Sequence, residues 1–231
     1  MTQPNLQQAI GWAARTFRAN LGPFIGLAFL VTALQLVQQF SVGPLNDVAV
    51  GCLEAETEGQ RLACEQALNG GIAPVLFTLL GLALLAEIAT IGVVRASIWA
   101  SLGRKPEFAA LLSTLNLGRY AGFVILQTFL AAVGLLLCIV PGIVVLVVLQ
   151  FGRFAILDRD VTILQACKIS MQLVRRFPGP SVLTALFTGL LLLVGGACFG
   201  LLTLVTLPFL ALFVVHVYRQ MNGEQVSGEP R

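Results

Sequence analysis

Charged side chains are scarce in this sequence. They make up 11% of its 231 residues, against about a quarter in an average soluble domain, and 57% of the residues are hydrophobic. A soluble protein of this length could not bury so much apolar surface, so the composition indicates an integral membrane protein. The formal net charge is only +3, and the basic residues lie beside apolar runs without forming a stripe, which argues against nucleic acid as a partner.

Catalytic motifs and metal-ligating residues are also missing. No HExxH, Walker A, GxSxG or GxGxxG pattern occurs, and one histidine, His216, cannot supply bis-histidine haem ligation. Cys138, Cys167 and Cys198 are scattered through apolar segments, where thiols act as small buried hydrophobes. Residues 1–20 lack the apolar region of a signal peptide. We therefore expect a non-enzymatic protein without metal or cofactor, whose first apolar run is retained.

Long apolar runs dominate what is present. Six of them are long enough, or nearly so, to cross a hydrocarbon core of ~30 Å as helices. They cover about 22–40, 73–98, 120–138, 142–157, 180–198 and 200–218. Pro141-Gly142 predicts a tight turn between the third and fourth runs, and Gly195-Gly196 helps to divide the last apolar region in two. Residues 221–231 form a polar tail that we expect to be disordered and cytoplasmic.

A short amphipathic segment precedes each pair of runs. Leu6 to Pro23, Phe108 to Gly122 and Ile163 to Pro180 combine helical apolar spacing with a basic residue and then a Gly or Pro. We predict an all-α integral membrane domain over residues 1–220, with six transmembrane helices as three hairpins. Each hairpin would be preceded by a cytoplasmic interfacial amphipathic helix. The alternative is that short basic loops, common in any polytopic protein, only imitate a repeat.

The first and third of these segments carry the most specific expectations. The predicted apolar face of the first consists of Leu6, Ile10, Ala13 and Phe17. We place Trp12 at headgroup depth, although this helix could instead extend the first span. Asp160 is the expected N-cap of the third helix. Asp158 and Asp160, with basic neighbours on both sides, suggest capping and ion pairing and not acid/base catalysis.

The acidic segment 41–72 predicts the orientation. It is poor in Lys and Arg, whereas Arg15 and Arg18 flank the other side of the first span, so the positive-inside rule places both termini in the cytoplasm of a bacterial cell and this loop outside its inner membrane. An oxidising compartment favours a disulfide between Cys52 and Cys64, the alternative being two separate thiols. The lipid bilayer is the expected partner, with anionic lipids at the basic interfacial helices.

Three charged residues lie within or beside the predicted spans. Glu87 and Arg95 are eight residues apart, or ~12 Å along a helix, so direct pairing is not expected. Arg95 can snorkel to the cytoplasmic side. Glu87 either holds helices together or has a proton or ion role. Arg153 is expected near the interface, paired with Asp158 or Asp160.

The segment from about 140 to 218 resembles a known family. Phe154-Ala155-Ile156-Leu157-Asp158, followed by Ala166, Ser170 and a basic residue before the next span, is similar to the pattern of YciC-like bacterial membrane proteins of unknown function. It also resembles the membrane domain joined to some glycerophosphodiester phosphodiesterases. The resemblance implies a six-helix bundle and no established activity.

Two functions remain open on the sequence. The first is a scaffold or accessory subunit of a larger membrane complex, with other membrane proteins as partners. It is supported by the missing catalytic motifs and by the long acidic loop. The alternative is a small transporter or permease with Glu87, Arg95 and Arg153 in its path.

Overall fold

The computed structural model describes residues 4–53, 57–70, 72–108, 116–196 and 200–228. Within those ranges the secondary structure is helical, without strands. Six helical segments are long and apolar enough to cross a membrane: Leu21–Ser41, Phe77–Ser101, Leu117–Leu137, Ile139–Arg159, Pro178–Gly196 and Thr203–Asn222. The prediction of an all-α protein with six potential membrane spans is confirmed.

Ten helices are numbered here in chain order within the described ranges. They are α1 (Leu6–Ala19), α2 (Leu21–Leu53), α3 (Glu58–Gly70), α4 (Ile72–Ser101), α5 (Leu117–Leu137), α6 (Ile139–Leu149), α7 (Gly152–Arg159), α8 (Ile163–Arg176), α9 (Pro178–Gly196) and α10 (Thr203–Asn222). The fourth span consists of α6 and α7 together. Residues 109–115, the main part of the second predicted interfacial helix, lie outside the described ranges.

Helix α10 is the centre of the bundle. It packs against α1, α2, α4 and α9. About 72% of its span is buried, against 17–39% for the other five candidate spans. Those five carry many exposed large apolar side chains, including Phe29, Phe77, Phe129 and Leu136. This distribution suits a bundle whose outer helices face lipid, because in hydrocarbon an exposed apolar side chain costs nothing.

The turn between α5 and α6 lies at Cys138, and the prediction of a turn at Pro141-Gly142 is wrong. Cys138 is extended, with φ −172° and ψ 150°, and it is exposed and not buried as predicted. Pro141 falls in the first turn of α6, where its missing N–H has no helical acceptor in any case. Gly142 allows close helix contact, since a Cβ on Gly134 would lie 2.8 Å from its backbone.

Most of the predicted acidic loop is helical where it is described. Helix α2 continues to Leu53; its 33 residues span about 50 Å, well beyond a hydrocarbon core of ~30 Å. Helix α3 follows, opened by a capping box: Thr57 Oγ1 accepts from Gln60 N, and Gln60 Oε1 accepts from Thr57 N. The structure contains a Cys52–Cys64 disulfide between α2 and α3, with Cα atoms 5.5 Å apart.

Helix α1 buries most of the predicted face: Ala13 and Phe17 are buried and Leu6 is half-buried against the core, whereas Ile10 is exposed. The buried face also includes Ala9 and Trp12. The ring centroid of Trp12 lies 5.2 Å from that of His216 on α10, and its placement at headgroup depth stays a prediction. Contact with α10, which sequence periodicity does not show, selects the buried face.

The described part of the C-terminal tail is docked, contrary to the prediction of disorder. Gly223, with φ +74°, ends α10 in the left-handed region that glycine adopts without strain. Val226 is buried. The amide of Ser227 donates to Ser101 O at 3.0 Å, and Trp12 Nε1 donates to Ser227 O at 2.9 Å. The tail therefore joins α1 to the end of α4.

Thr162, and not Asp160, caps α8. Thr162 and Gln165 form a capping box, while Asp160, with φ 52°, ends α7 in the left-handed region. The hydroxyl of Ser170, on the buried face of α8, accepts from Phe151 N and donates to Val148 O. These bonds satisfy backbone groups where the fourth span breaks between α6 and α7.

Candidate functional site

Glu87 and Arg153 form an ion pair inside the bundle. Arg153 Nη1, from the first turn of α7, lies 2.8 Å from Glu87 Oε2 on α4. Arg153 Nε donates to Gln127 Oε1 on α5 at 3.1 Å. The predicted pairing of Arg153 with Asp158 or Asp160 is wrong, because the break before α7 turns this side chain towards α4 and α5. A Cβ at Gly152 would overlap the Phe123 ring, so α7 begins in close contact with α5.

Thr90 and Tyr120 extend the polar cluster. The Thr90 hydroxyl donates to Glu87 O at 2.6 Å and lies 2.7 Å from the Tyr120 hydroxyl. Because threonine has one hydroxyl proton, Tyr120 must then be the donor to Thr90. Tyr120 is fully buried and close enough to Arg153 to interact with it electrostatically. The cluster thus links α4, α5 and α7 through directed polar contacts.

The ion pair lies on the wall of a cavity of about 620 Å³. Segments from all six candidate spans line it. Its polar lining consists of Gln35, Gln39, Glu87, Thr90, Gln127, Gln150, Arg153, Thr188 and Thr203. The rest of the described wall is apolar or glycine, including Leu146, Leu192, Leu207 and Leu210. This size, and a mostly apolar wall with a few polar groups, are typical of small-molecule sites.

Thr188 is a polar group on this wall that the fold does not satisfy. Its Oγ1 is buried and has no hydrogen-bond partner among the described residues. Gln150, by contrast, donates through Nε2 to Ser181 O at 3.0 Å. A buried hydroxyl without a partner is unfavourable, and this oxygen has almost no accessible surface, so a molecule in the cavity would reach it only after the side chain rotates.

Arg95 has a different environment from the other two predicted charges. It is buried, so it does not extend to the surface as snorkelling would require. It lies close enough to Tyr120 to interact with it electrostatically. It is not among the residues that line the cavity. The structure therefore brings Glu87 and Arg153 together at the cavity, whereas Arg95 is not among the lining residues.

Asp158 and Asp160 form ion pairs at one end of the bundle. Arg219 Nη2 lies 2.6 Å from Asp158 Oδ1, and Arg119 Nη1 lies 2.5 Å from Asp160 Oδ1. Arg219 also contacts Glu224 Oε2 at 2.8 Å and donates through Nε to Ser101 Oγ at 2.7 Å. Arg219 thereby joins the ends of α4, α7 and α10 to the tail. These contacts are structural and lie away from the cavity wall.

The remaining predicted features give no sign of metal or thiol chemistry in the described residues. No group of three or more His, Cys, Asp and Glu side chains comes together there. Burial raises the pKa of the Cys167 thiol, which disfavours a reactive thiolate. Cys167 is half-buried, and Cys198 lies outside the described ranges.

Sequence reasoning missed several members of the cluster. The sequence analysis does not single out Tyr120, Gln127 or Thr188. A signal was available for Gln127, because an amide in the middle of an apolar run needs a partner or a polar cavity.

The chain is similar to uncharacterised mycobacterial proteins. Over 124 residues it is 32% identical to the uncharacterised proteins Mb2590 of Mycobacterium bovis and MT2637 of Mycobacterium tuberculosis, and 31% identical to Rv2560 of M. tuberculosis. Each match covers 54% of this chain and 38% of the relative, so the chain spans well under half the length of these curated relatives. No family model matches, and no solved structure matches.

Proposed function

We propose that this chain is a small, non-enzymatic permease that binds an amphipathic solute in the intramembrane cavity. The observation that carries the proposal is the Glu87–Arg153 pair on the wall of a cavity lined by all six candidate spans. Desolvating an ion pair is expensive, and apolar packing would hold helices together at least as well. Ionisable residues inside a membrane bundle commonly mark a substrate or ion pathway. A cavity containing such a pair therefore supports solute binding over a purely structural role.

The proposed arrangement has three hairpins with both termini in the cytoplasm of a bacterial cell, each hairpin preceded by an interfacial helix. Its support is the packing of α2 on α4, α5 on α6 and α9 on α10. Contacts of Arg119 with Asp160 and of Ser227 with Ser101 gather the start of α5 and the ends of α4, α7 and α10 at one end. That end is rich in Arg and Lys, as a cytoplasmic face should be, and would attract anionic lipids.

Thiol labelling tests this orientation. In a background with Cys138, Cys167 and Cys198 replaced by serine, a membrane-impermeant maleimide added to intact spheroplasts should label Cys52 and Cys64 only after reduction. The reason is that, in the proposed topology, Cys52 at the end of α2 and Cys64 in α3 lie outside and are joined to each other. The same reagent on inside-out vesicles should give no labelling. Labelling from inside-out vesicles alone would reverse the proposed topology, and labelling without reduction would contradict the disulfide.

Filling the cavity tests the function. A Cβ on Gly189 would meet nothing within 4 Å, and Gly189 lines the cavity, so Gly189→Leu should fill it without a clash. In proteoliposomes, with a panel of radiolabelled charged and neutral medium-chain amphiphiles, Gly189→Leu should lower the flux of the transported compound at least about tenfold, the equivalent of ~1.4 kcal/mol. Gly81→Leu is the matched control, because its Cβ also meets nothing and it does not line the cavity. Equal flux in wild type, Gly189→Leu and empty vesicles would refute the permease.

An accessory-subunit role is the second candidate, and α3 favours it. Leu62 is 62% exposed on this helix, which follows the part of α2 that extends beyond a membrane's thickness. Mass spectrometry after mild-detergent purification would support this role if a stoichiometric partner protein is lost on Leu62→Glu and retained on Gln66→Glu. Gln66 is the control because it is an exposed, polar position on the same helix. The resemblance to YciC-like proteins fits either candidate and stays a prediction.

A further inference from the structure

We propose that the cavity binds an organic anion together with one proton, and that Arg153 and Glu87 are the groups that receive them. This inference rests on the proposed function and adds the chemical class of the solute. It starts from the charges on the wall: among the described lining residues, Glu87 and Arg153 are the two that carry a formal charge. They are paired with each other, so the empty cavity is electrically neutral.

The other groups around this pair are neutral at ordinary pH. From α5 come Tyr120 and Gln127, and from α4 itself Thr90. Arg95, about two turns further along α4, interacts with Tyr120 and is not among the residues that line the cavity. The remaining polar lining comes from α2, α6, α9 and α10: Gln35, Gln39, Gln150 (directly after α6), Thr188 and Thr203. A guanidinium does not release its proton in a protein, so Glu87 is the charged group on the described wall that has room for one more proton.

The balance of charge between Glu87, Arg153 and a ligand favours an anion as the ligand. If an anion binds to Arg153 and displaces the Glu87 carboxylate, Glu87 becomes an unpaired charge in an apolar cavity unless it takes up a proton. With that proton on a Glu87 oxygen, the new state contains an Arg153–anion pair and a neutral acid, and the net charge is again zero. A bound cation would leave a net charge of +1, which Arg153 cannot relieve. The site therefore suits an anion with a proton better than a cation.

The side chains on the cavity wall indicate that the ligand also has an apolar part. Leucine side chains of three spans, including Leu146, Leu192 and Leu207, surround the polar groups, so an inorganic anion would leave most of the cavity unmatched. Polar side chains lie on the same wall, among them Gln35 and Gln39. A carboxylate or phosphate head with an apolar chain matches both features. Such an anion comes either from the aqueous phase or from the bilayer's own lipids.

Calorimetry with sodium octanoate tests whether the ligand is an organic anion. The full chain is placed in nanodiscs of zwitterionic lipid and titrated between about pH 6 and pH 8.5, where octanoate stays ionised. Wild type should take up one proton per octanoate, measured from two buffers of different ionisation heat. Because one proton is taken up with each octanoate, the affinity should weaken by up to about tenfold for each unit by which the pH rises. Octanamide, neutral and of the same shape, should bind more weakly and without proton uptake.

Two variants separate the roles of the pair. Glu87→Gln imitates the protonated acid, so octanoate should bind to it without proton uptake and with little dependence on pH. Arg153→Gln should lose octanoate binding while its weak octanamide binding persists. Competition by phosphatidylglycerol added to the nanodiscs would assign the anion to the bilayer, whereas no competition would assign it to a soluble acid; both support an anion site.

Three results would contradict the anion–proton proposal. Octanamide binding as tight as that of octanoate, or octanoate binding without proton uptake in wild type, would overturn the anion–proton inference. Absence of octanoate binding would overturn it as well. The permease proposal is judged separately by the Gly189→Leu and Gly81→Leu fluxes, which do not depend on the charge of the solute.

Discussion

Replacing Arg219 by alanine should lower the free energy of unfolding by about 3–5 kcal/mol, as expected when one partner of a buried ion pair is removed. The Arg219 side chain is 6% exposed and that of Asp158 is 10% exposed. The substitution would leave Asp158 buried without its cation and would release Glu224 and Ser101 at the same time. Because these partners belong to α7, the tail and α4, the loss should loosen the whole end of the bundle.

Arg119→Ala supplies the matched control for Arg219→Ala. It also removes an arginine–aspartate pair at this end of the bundle, but the Arg119 and Asp160 side chains are 47% and 71% exposed. Exposed pairs contribute about 0–1 kcal/mol, so this variant should unfold close to wild type. Denaturant unfolding in detergent, followed by tryptophan fluorescence, measures the free energy of unfolding of both variants. Similar small effects of the two substitutions would show that the Arg219 cluster does not stabilise the fold.

Breaking the Glu87–Arg153 pair is the second large effect that we expect. Glu87→Gln and Arg153→Gln should each destabilise the bundle by about 1–3 kcal/mol, because each leaves the opposite charge in an apolar cavity. The estimate is below that for Arg219, since the side chains of Arg153 and Glu87 are 24% and 44% exposed. The double variant, which removes both charges, should recover part of the loss.

A double-mutant cycle measures this coupling. We expect a coupling free energy of about 2 kcal/mol between Glu87 and Arg153, within the range found for contacting charged residues. The same cycle on the exposed pair, Arg119→Gln with Asp160→Asn, should give less than about 0.5 kcal/mol. Coupling at the cavity no larger than at the exposed pair would mean that the contact seen between Glu87 and Arg153 is not maintained in the membrane.

The membrane class and the approximate spans could be predicted because each depends on one segment alone. A helix that crosses hydrocarbon needs ~20 apolar residues whatever its neighbours are, and that requirement is visible in the sequence. The partner of Arg153 could not be predicted, since it depends on where α7 starts and on Gly152 fitting against Phe123. Nothing in the local sequence around Arg153 indicates that Glu87, 66 positions earlier, will be nearer than Asp158.

Local ambiguity accounts for other errors. Asp160 and Thr162 are both good N-cap residues two positions apart, and the difference is the glutamine at position 165 that completes a capping box for Thr162. The acidic composition of 41–72 suggested a loop, although Thr57 and Gln60 form the same kind of capping box. The docked tail depends on contacts with α1 and α4, so a polar composition alone suggested disorder.

The hydrogen bond from Trp12 Nε1 to Ser227 O has a consequence for biosynthesis. The two residues are 215 positions apart, and the amide of Asn5 donates to Gln220 across the same distance. The ribosome therefore releases α1 long before the surface that covers its buried face has been made. Until residues near position 227 have been made, Trp12 lacks its contact with Ser227. Loss of these residues should therefore first appear as protease sensitivity of α1.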